Sequence, residues 1–176
     1  VMRVIRSSFR LNEGMEVTLE ANPETVSHEV LRGYRELGVN RLSVGAQTFD
    51  PRGLKVLGRG HGPDEIGKAV RSARDAGFDN VSLDLIYGWQ GQTSSEWGKD
   101  LEQAVALQPE HLSLYALTVE PGTILARQIA RGRFASPSDD RGALFFTAAH
   151  NLLEARGYHH YEISNYSRAG YASEHN

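Results

Sequence analysis

The sequence predicts an α/β fold: a partial parallel β/α barrel with a small-molecule site at the C-terminal ends of its strands. Three observations predict it. A junction recurs in which glycine, an apolar or aromatic residue and two polar residues lead into a strand: Gly38-Val39-Asn40-Arg41, Gly77-Phe78-Asp79-Asn80 and Gly157-Tyr158-His159-His160. Glycine suits the left-handed position just past a helix end. Strand-like and helix-like segments alternate, which implies right-handed crossovers between parallel strands. Successive strands also show period two with one small or polar face, where an ordinary parallel sheet is apolar on both. A barrel has such an interior when it holds a ligand.

In order, Met2, Val4, Ile5 and Phe9 first sit at helical spacing. A strand follows at 16–21, with Val17, Leu19 and Ala21 on one face and Thr18 and Glu20 on the other; Asn22 continues the polar side. A helix at 27–37 leads to a strand at 41–46, where Leu42, Val44 and Ala46 oppose Ser43, Gly45 and Gln47. The helix at 64–76 presents Ile66, Ala69, Val70 and Ala73 to the core. In the strand at 81–87, Val81, Leu83 and Leu85 oppose Ser82 and Asp84. Thr93 with Glu96 three residues on is a capping box that opens a helix at 94–107. A strand at 111–117, a helix at 138–156 with Leu144, Phe145, Ala148 and Leu152 on its apolar face, and a strand at 160–164 complete the pattern. The longest connections are 48–63 and 118–137, and no interdomain linker is evident. Residues 1–176 therefore read as the central and C-terminal part of one barrel domain, without a second domain. Val1 is no initiator and no terminal element follows His175-Asn176, so truncation at both ends is expected.

Composition narrows the function. The 176 residues are 40% hydrophobic and 23% charged, ordinary for a globular protein, with a formal net charge of −3. No basic run gives the footprint of a nucleic-acid binder. No apolar stretch approaches the roughly 20 residues of a membrane helix, and no leader pattern is visible. A cytoplasmic location is expected. The absence of cysteine excludes a disulfide framework and a cysteine-ligated metal within these residues. The seven histidines make no metal pair at helix spacing, and no nucleophilic triad is recognisable.

Glu20, Gln47 and Asp84 come at or near strand C-terminal ends, where β/α barrels build their sites. Burying carboxylates without partners is costly, so agreement between three strands favours a site over a structural ion pair or loop cap. Gly58-Arg59-Gly60-His61-Gly62 lacks the spacing of a phosphate loop. Arg59 suits a carboxylate clamp, and a mobile surface connection fits this loop as well. Gly88-Trp89-Gln90-Gly91-Gln92-Thr93 is either a close backbone approach to a ligand or a tight βα turn. Tyr158, Tyr161, Tyr166 and Tyr171 lead to His175, as an aromatic lining or as core.

Several stretches resemble the coproporphyrinogen III oxidase-like branch of radical S-adenosylmethionine (SAM) proteins: Thr18-Leu19-Glu20-Ala21-Asn22-Pro23-Glu24, Leu42-Ser43-Val44-Gly45-Ala46-Gln47-Thr48-Phe49-Asp50, Leu57-Gly58-Arg59-Gly60-His61 and Asp84-Leu85-Ile86-Tyr87-Gly88. Two more resemble its HemW heme-chaperone subgroup: Tyr115-Ala116-Leu117-Thr118-Val119-Glu120-Pro121-Gly122-Thr123 and Tyr161-Glu162-Ile163-Ser164-Asn165-Tyr166. His175-Asn176 is similar to the opening of that subgroup's His-Asn-x-x-Tyr-Trp segment. The family usually has Leu-Pro after Tyr-Gly, where this chain has Trp89-Gln90.

The resemblance implies a radical SAM barrel. Its [4Fe-4S] cluster is held by a Cys-x3-Cys-x2-Cys loop that this chain does not contain. It implies SAM contacts at Glu20, Gln47, Arg59, Asp84 and Thr118, where the family residue at the last position differs, and a heme contact at His175. The implied function is heme binding and delivery to a recipient hemoprotein. The alternative is oxidative decarboxylation of coproporphyrinogen III. A non-radical barrel enzyme, such as an aldolase or a phosphate-binding isomerase, would need a catalytic lysine or a phosphate site at the last strands, and Lys55, Lys68 and Lys99 all fall on loops or helices. The chain itself is expected to be catalytically inactive, and its first strand to invite association as a bare edge.

Overall fold

The computed structural model describes residues 1–175, apart from the side chains of Arg3 and Arg6. Asn176, the second residue of the His-Asn pair, lies outside the described residues. Helix α1 (Met2–Ser8) precedes β1 (Thr18–Ala21) and a 3-10 turn at Pro23–Thr25. Then come α2 (His28–Glu36), β2 (Arg41–Gln47), α3 (Pro51–Val56), α4 (Pro63–Asp75), β3 (Val81–Tyr87), α5 (Ser94–Ala106) and β4 (His111–Ala116). The chain continues through α6 (Ile124–Ala130), α7 (Asp139–Ala155), β5 (His159–Glu162) and β6 (Asn165–Ser167). The strands form one sheet in the order β1-β2-β3-β4-β6-β5. β1 to β4 are parallel neighbours, as the alternating pattern predicts.

The three repeated junctions behave alike. Gly38, Gly77 and Gly157 each take positive φ past a helix end and turn the chain into the next strand. The following Val39, Phe78 and Tyr158 are buried. Leu42, Val44, Leu83, Leu85, Leu112 and Leu114 face the helices and form the core with Leu31, Ile66, Val70, Trp97 and Leu101. The expected α4 face, Ile66, Ala69, Val70 and Ala73, is the buried one.

Four differences have physical causes. The first strand starts at Thr18 because Val17 N–H is taken by the Asn40 side chain (2.7 Å) rather than by a ladder partner. The expected single strand at 160–164 is an antiparallel hairpin, with β6 antiparallel to β4. Glu162 reverses the chain there: its carboxylate accepts from Ser164 N–H (3.2 Å) and the Asn165 amide (2.6 Å). On α7 the buried stripe is Phe145, Ala149 and Leu153, one residue on from the expected Leu144 and Ala148. Leu144 is 66% exposed. Phe145 decides the rotation, since its ring meets Tyr87 edge-on and its carbonyl accepts from the Trp97 indole (2.9 Å). Finally, the long connections hold α3, started by Asp50 and Pro51, and α6, capped by Thr123. No helix among the described residues is long and apolar enough to cross a membrane.

Candidate functional site

The polar strand face lines a cavity of about 560 Å3. β1 contributes Thr18 and Glu20, β2 Arg41 and Ser43, β3 Asp84, and β4 Ser113 and Tyr115. Glu20 and Asp84 thus share one cavity, as their common parity predicts. Asp84 stands in the middle of β3 rather than at its end. The Ser43 hydroxyl donates towards its two carboxylate oxygens at 2.9 and 3.0 Å. Burial pushes the Asp84 carboxyl above the usual carboxylate range and the nearby Glu20 charge adds to this, while Ser43, Ser113 and the more distant Arg41 hold it down. Its hydrogen-bond partners are the neutral hydroxyls of Ser43 and Ser113.

Arg41 is a residue that sequence reasoning missed. It is 5% exposed, donates from Nη1 to Thr18 Oγ1 (3.4 Å), and its Nε lies 3.9 Å from Glu16 without a hydrogen-bond partner among the described residues. Ser113 and Tyr115 were missed too, although β4 repeats the alternation against Leu112 and Leu114.

The C-terminal tail closes the N-terminal end of the cavity. Ser173 Oγ donates to Glu16 (3.1 Å), Glu174 N–H to Glu16 (3.4 Å), and Glu16 N–H to Glu174 (3.4 Å). His175 therefore lines the same cavity as Glu20 and Asp84. A buried relay anchors this tail: Ser82 Oγ to His111 Nδ1 (2.8 Å), His111 Nε2 to the Tyr161 hydroxyl (2.7 Å), and Ser173 N–H to the same hydroxyl (3.1 Å).

Burial, aided by the Arg41 charge, lowers the His111 pKa to about 3. An unfolded histidine titrates near ~6.5, so the folded state binds fewer protons between these values. The stability His111 contributes is full above about pH 6.5 and is lost as pH falls towards 3. His111→Gln is expected to flatten this acid loss in urea unfolding curves between pH 7 and 4. Equal acid slopes for the two proteins would remove His111 as the cause.

Gln47 and Arg59 do not line the carboxylate cavity. The β2–β3 register shifts between Val44 and Gln47, and Gln47 takes a φ of 66°, rare for a side-chain-bearing residue. Its amide is folded back over Gly45, where any Cβ would meet Gln47 Nε2 at 2.7 Å. Arg59 Nη1 donates to Asn22 Oδ1 (3.1 Å), and His61 bridges Glu24 (3.1 Å) and the Ala46 carbonyl (3.3 Å). The glycine-rich loop is thus tied to the C-terminal end of β1.

Thr118 is not brought to these residues. β4 ends at Ala116, and Thr118 faces a separate cavity of about 740 Å3 beyond β3 and β4, walled by Tyr87, Trp89 and Phe145. A further missed residue, Asp100, holds both βα loops. It accepts from Thr48 Oγ1 (2.7 Å), Phe49 N–H (2.8 Å) and Gln92 Nε2 (3.3 Å), while Gln92 Oε1 takes Gly88 N–H (2.7 Å). The signal was present: an aspartate among Trp97, Leu101 and Ala104 on the buried stripe of α5.

A family model of the radical SAM superfamily matches residues 2–104, over half of the chain. The chain belongs to the radical SAM superfamily. Over 176 residues this radical SAM chain is 39% identical to the Bacillus subtilis protein named heme chaperone HemW, covering 100% of the chain and 46% of that protein. It is 41% identical over 172 residues to the Escherichia coli heme chaperone HemW, covering 98% of the chain and 44% of that protein. The chain is thus similar along its whole length to proteins named heme chaperone HemW. The solved Escherichia coli coproporphyrinogen III oxidase HemN, a radical SAM enzyme, shares the fold with a TM-score of 0.84 at 27% identity, over 96% of this chain and 39% of that one. The radical SAM chain spans less than half the length of each.

Proposed function

We propose that this chain is the SAM-binding part of a radical SAM heme chaperone, which carries heme to a recipient hemoprotein. The observation that supports it most is the pair Asp84 and Glu20 on one inner wall, in a chain similar along its whole length to proteins named heme chaperones. SAM presents a sulfonium, an ammonium, a ribose diol and a carboxylate. The Asp84 carboxyl, bonded only to hydroxyls, suits the cationic or diol groups, and Glu20 supplies a second acceptor across the β1–β3 wall. The Arg59 guanidinium, which donates to Asn22, suits the carboxylate. Radical chemistry from SAM bound there would also need a reduced [4Fe-4S] cluster as electron source. A [4Fe-4S] cluster does not fit these residues, because its thiolate ligands are not among them.

Two titrations test the proposal. SAM is expected to shift the amide NMR signals of Glu20, Ser43 and Asp84, and hemin to give a saturable change in its Soret absorption. Unmoved signals on those strands would remove the SAM site. Hemin absorption that never saturates would remove the chaperone reading.

A further inference from the structure

Arg41 is a buried arginine with almost no partners. It is 5% exposed at the start of β2 and lines the carboxylate cavity. Among the described residues its guanidinium makes one long hydrogen bond, from Nη1 to Thr18 Oγ1 (3.4 Å), and its Nε has no partner. A guanidinium carries five N–H donors, and burying a charge with so few of them satisfied is costly. Glu16 does not explain the position. Its carboxylate stands 3.9 Å from Arg41 Nε, beyond hydrogen-bond distance. Its oxygens already accept from Thr18 Oγ1 (2.9 Å), Ser173 Oγ (3.1 Å) and Glu174 N–H (3.4 Å). Glu16 holds the tail.

The cavity supplies a better reason. Its described lining carries four carboxylates, Glu16, Glu20, Asp84 and Glu174, and Arg41 is the one lysine or arginine there. Arg41 and Ser43 share the inner face of β2, two residues or about 7 Å apart along the strand. Ser43 in turn donates to both Asp84 oxygens. The guanidinium therefore stands about one strand repeat from the Asp84 carboxyl, in an interior where screening is weak. Its charge acts there against the burial that raises Asp84, and it also helps to lower His111 at the start of β4. The other groups facing Asp84 are Glu20 from β1, Ser113 and Tyr115 from β4, and Glu174 and His175 from the tail. Arg41 alone among them carries a permanent positive charge.

We propose that Arg41 is a positioning residue for the ligand: its buried positive charge keeps Asp84 ionised near Glu20, and Asp84 then receives the cationic end of SAM. The inference rests on the SAM site proposed above and adds the charge that sets its working pH range. Arg41 acts through Asp84 from the N-terminal end of β2, away from the strand ends where barrels build their sites. Without it two carboxylates share one desolvated wall, and like charges so placed drive one of them to take a proton. A protonated Asp84 turns a charge-assisted contact into a weaker neutral one.

The test compares Arg41→Gln, Arg41→Met and Arg41→Lys with the wild type. SAM affinity is read by calorimetry across the range from about pH 5 to 8. The side-chain carboxyl 13C signal of Asp84 is titrated by NMR in the ligand-free protein. Arg41→Met guards against a misfolded first variant, since an apolar side chain of similar length leaves no donor stranded. Two unit charges about 7 Å apart in a partly buried setting shift a titration by roughly one to two pH units. Both neutral variants are expected to move the Asp84 midpoint up by that much. SAM affinity should then fall roughly 10- to 100-fold below the wild type on the acid side, with the gap closing as pH rises. Arg41→Lys keeps the charge and should keep both midpoint and affinity near the wild type. An unmoved Asp84 midpoint in the neutral variants overturns the role of Arg41 and leaves the SAM site standing, even where stability falls. An affinity loss equal at every pH overturns it as well, because it marks a direct contact with the ligand. A wild type that does not bind SAM overturns the reading on which the inference rests, whatever the midpoint does.

Discussion

Asp84→Asn is expected to weaken SAM binding by roughly 10- to 100-fold without lowering the stability of the fold. A charge-assisted hydrogen bond lost from a desolvated site costs about 1.5–3 kcal/mol. The Ser43 and Ser113 hydroxyls that face Asp84 bond to an amide oxygen as readily as to a carboxylate. Replacing the anion also removes a charge that burial penalises, so melting temperature should hold or rise. A carboxylate buried for structural pairing behaves in the opposite way, since its loss strands a partner and destabilises. Glu20→Gln should act in the same direction on affinity, less than additively, because the two carboxylates share one cavity. The pH dependence follows from the direction of the Asp84 shift. Its folded pKa is raised, so the anion is lost at a higher pH than for an ordinary aspartate, and SAM affinity should fall early on acidification. Calorimetric or NMR affinities equal to the wild type in both variants would remove these residues from the site. A large fall in melting temperature for Asp84→Asn would assign it a structural role.

What was legible in the sequence was what repeats. The glycine junctions mark where helices give way to strands, and period two alone puts Glu20, Ser43 and Asp84 on one wall. What breaks a period was not legible. Gln47 follows the polar parity of its strand, but the register shift and its positive φ turn it back over Gly45 and out of the cavity lining. The closing hairpin depends on the Glu162 side chain bonding two residues of its own turn, a local choice that apolar patterning does not record. The tail is the clearest case. Ser173, Glu174 and His175 reach the cavity only through Glu16 and the His111–Tyr161 relay, contacts 157 and 158 residues apart in the case of Glu16. No sequence window spans them. Thr118 went elsewhere for a simpler reason: Leu117 N–H bonds to the Tyr87 carbonyl, and the chain leaves the sheet before Thr118 can face inward.

Asp100→Ala is expected to cost roughly 2–4 kcal/mol of stability, the largest loss for any single side chain supporting the βα loops. Asp100 is 1% exposed and joins three segments: Thr48 and Phe49 after β2, Gln92 before α5, and through Gln92 the Gly88 N–H after β3. Removing the carboxylate strands Phe49 N–H and the Thr48 hydroxyl in the interior, and an unsatisfied buried donor costs about 1–3 kcal/mol. Asp100→Asn should cost less, because its amide oxygen still accepts from Phe49 N–H, but its NH2 group cannot accept from Gln92 Nε2. Burial raises the Asp100 pKa to about 6, against the hydrogen bonds from Thr48 and Phe49. The sign is therefore opposite to that of His111. The contribution of Asp100 is full below the unfolded value of about 3.8 and is lost as pH rises through about 6. Acidifying from pH 7 to 5 should gain stability from Asp100 while losing it from His111, and Asp100→Asn should abolish the gain alone. Urea unfolding of the wild type, Asp100→Ala and Asp100→Asn at both pH values measures each quantity. A loss below about 1 kcal/mol in Asp100→Ala would mean that water replaces the carboxylate and that the loops are held by their own turns.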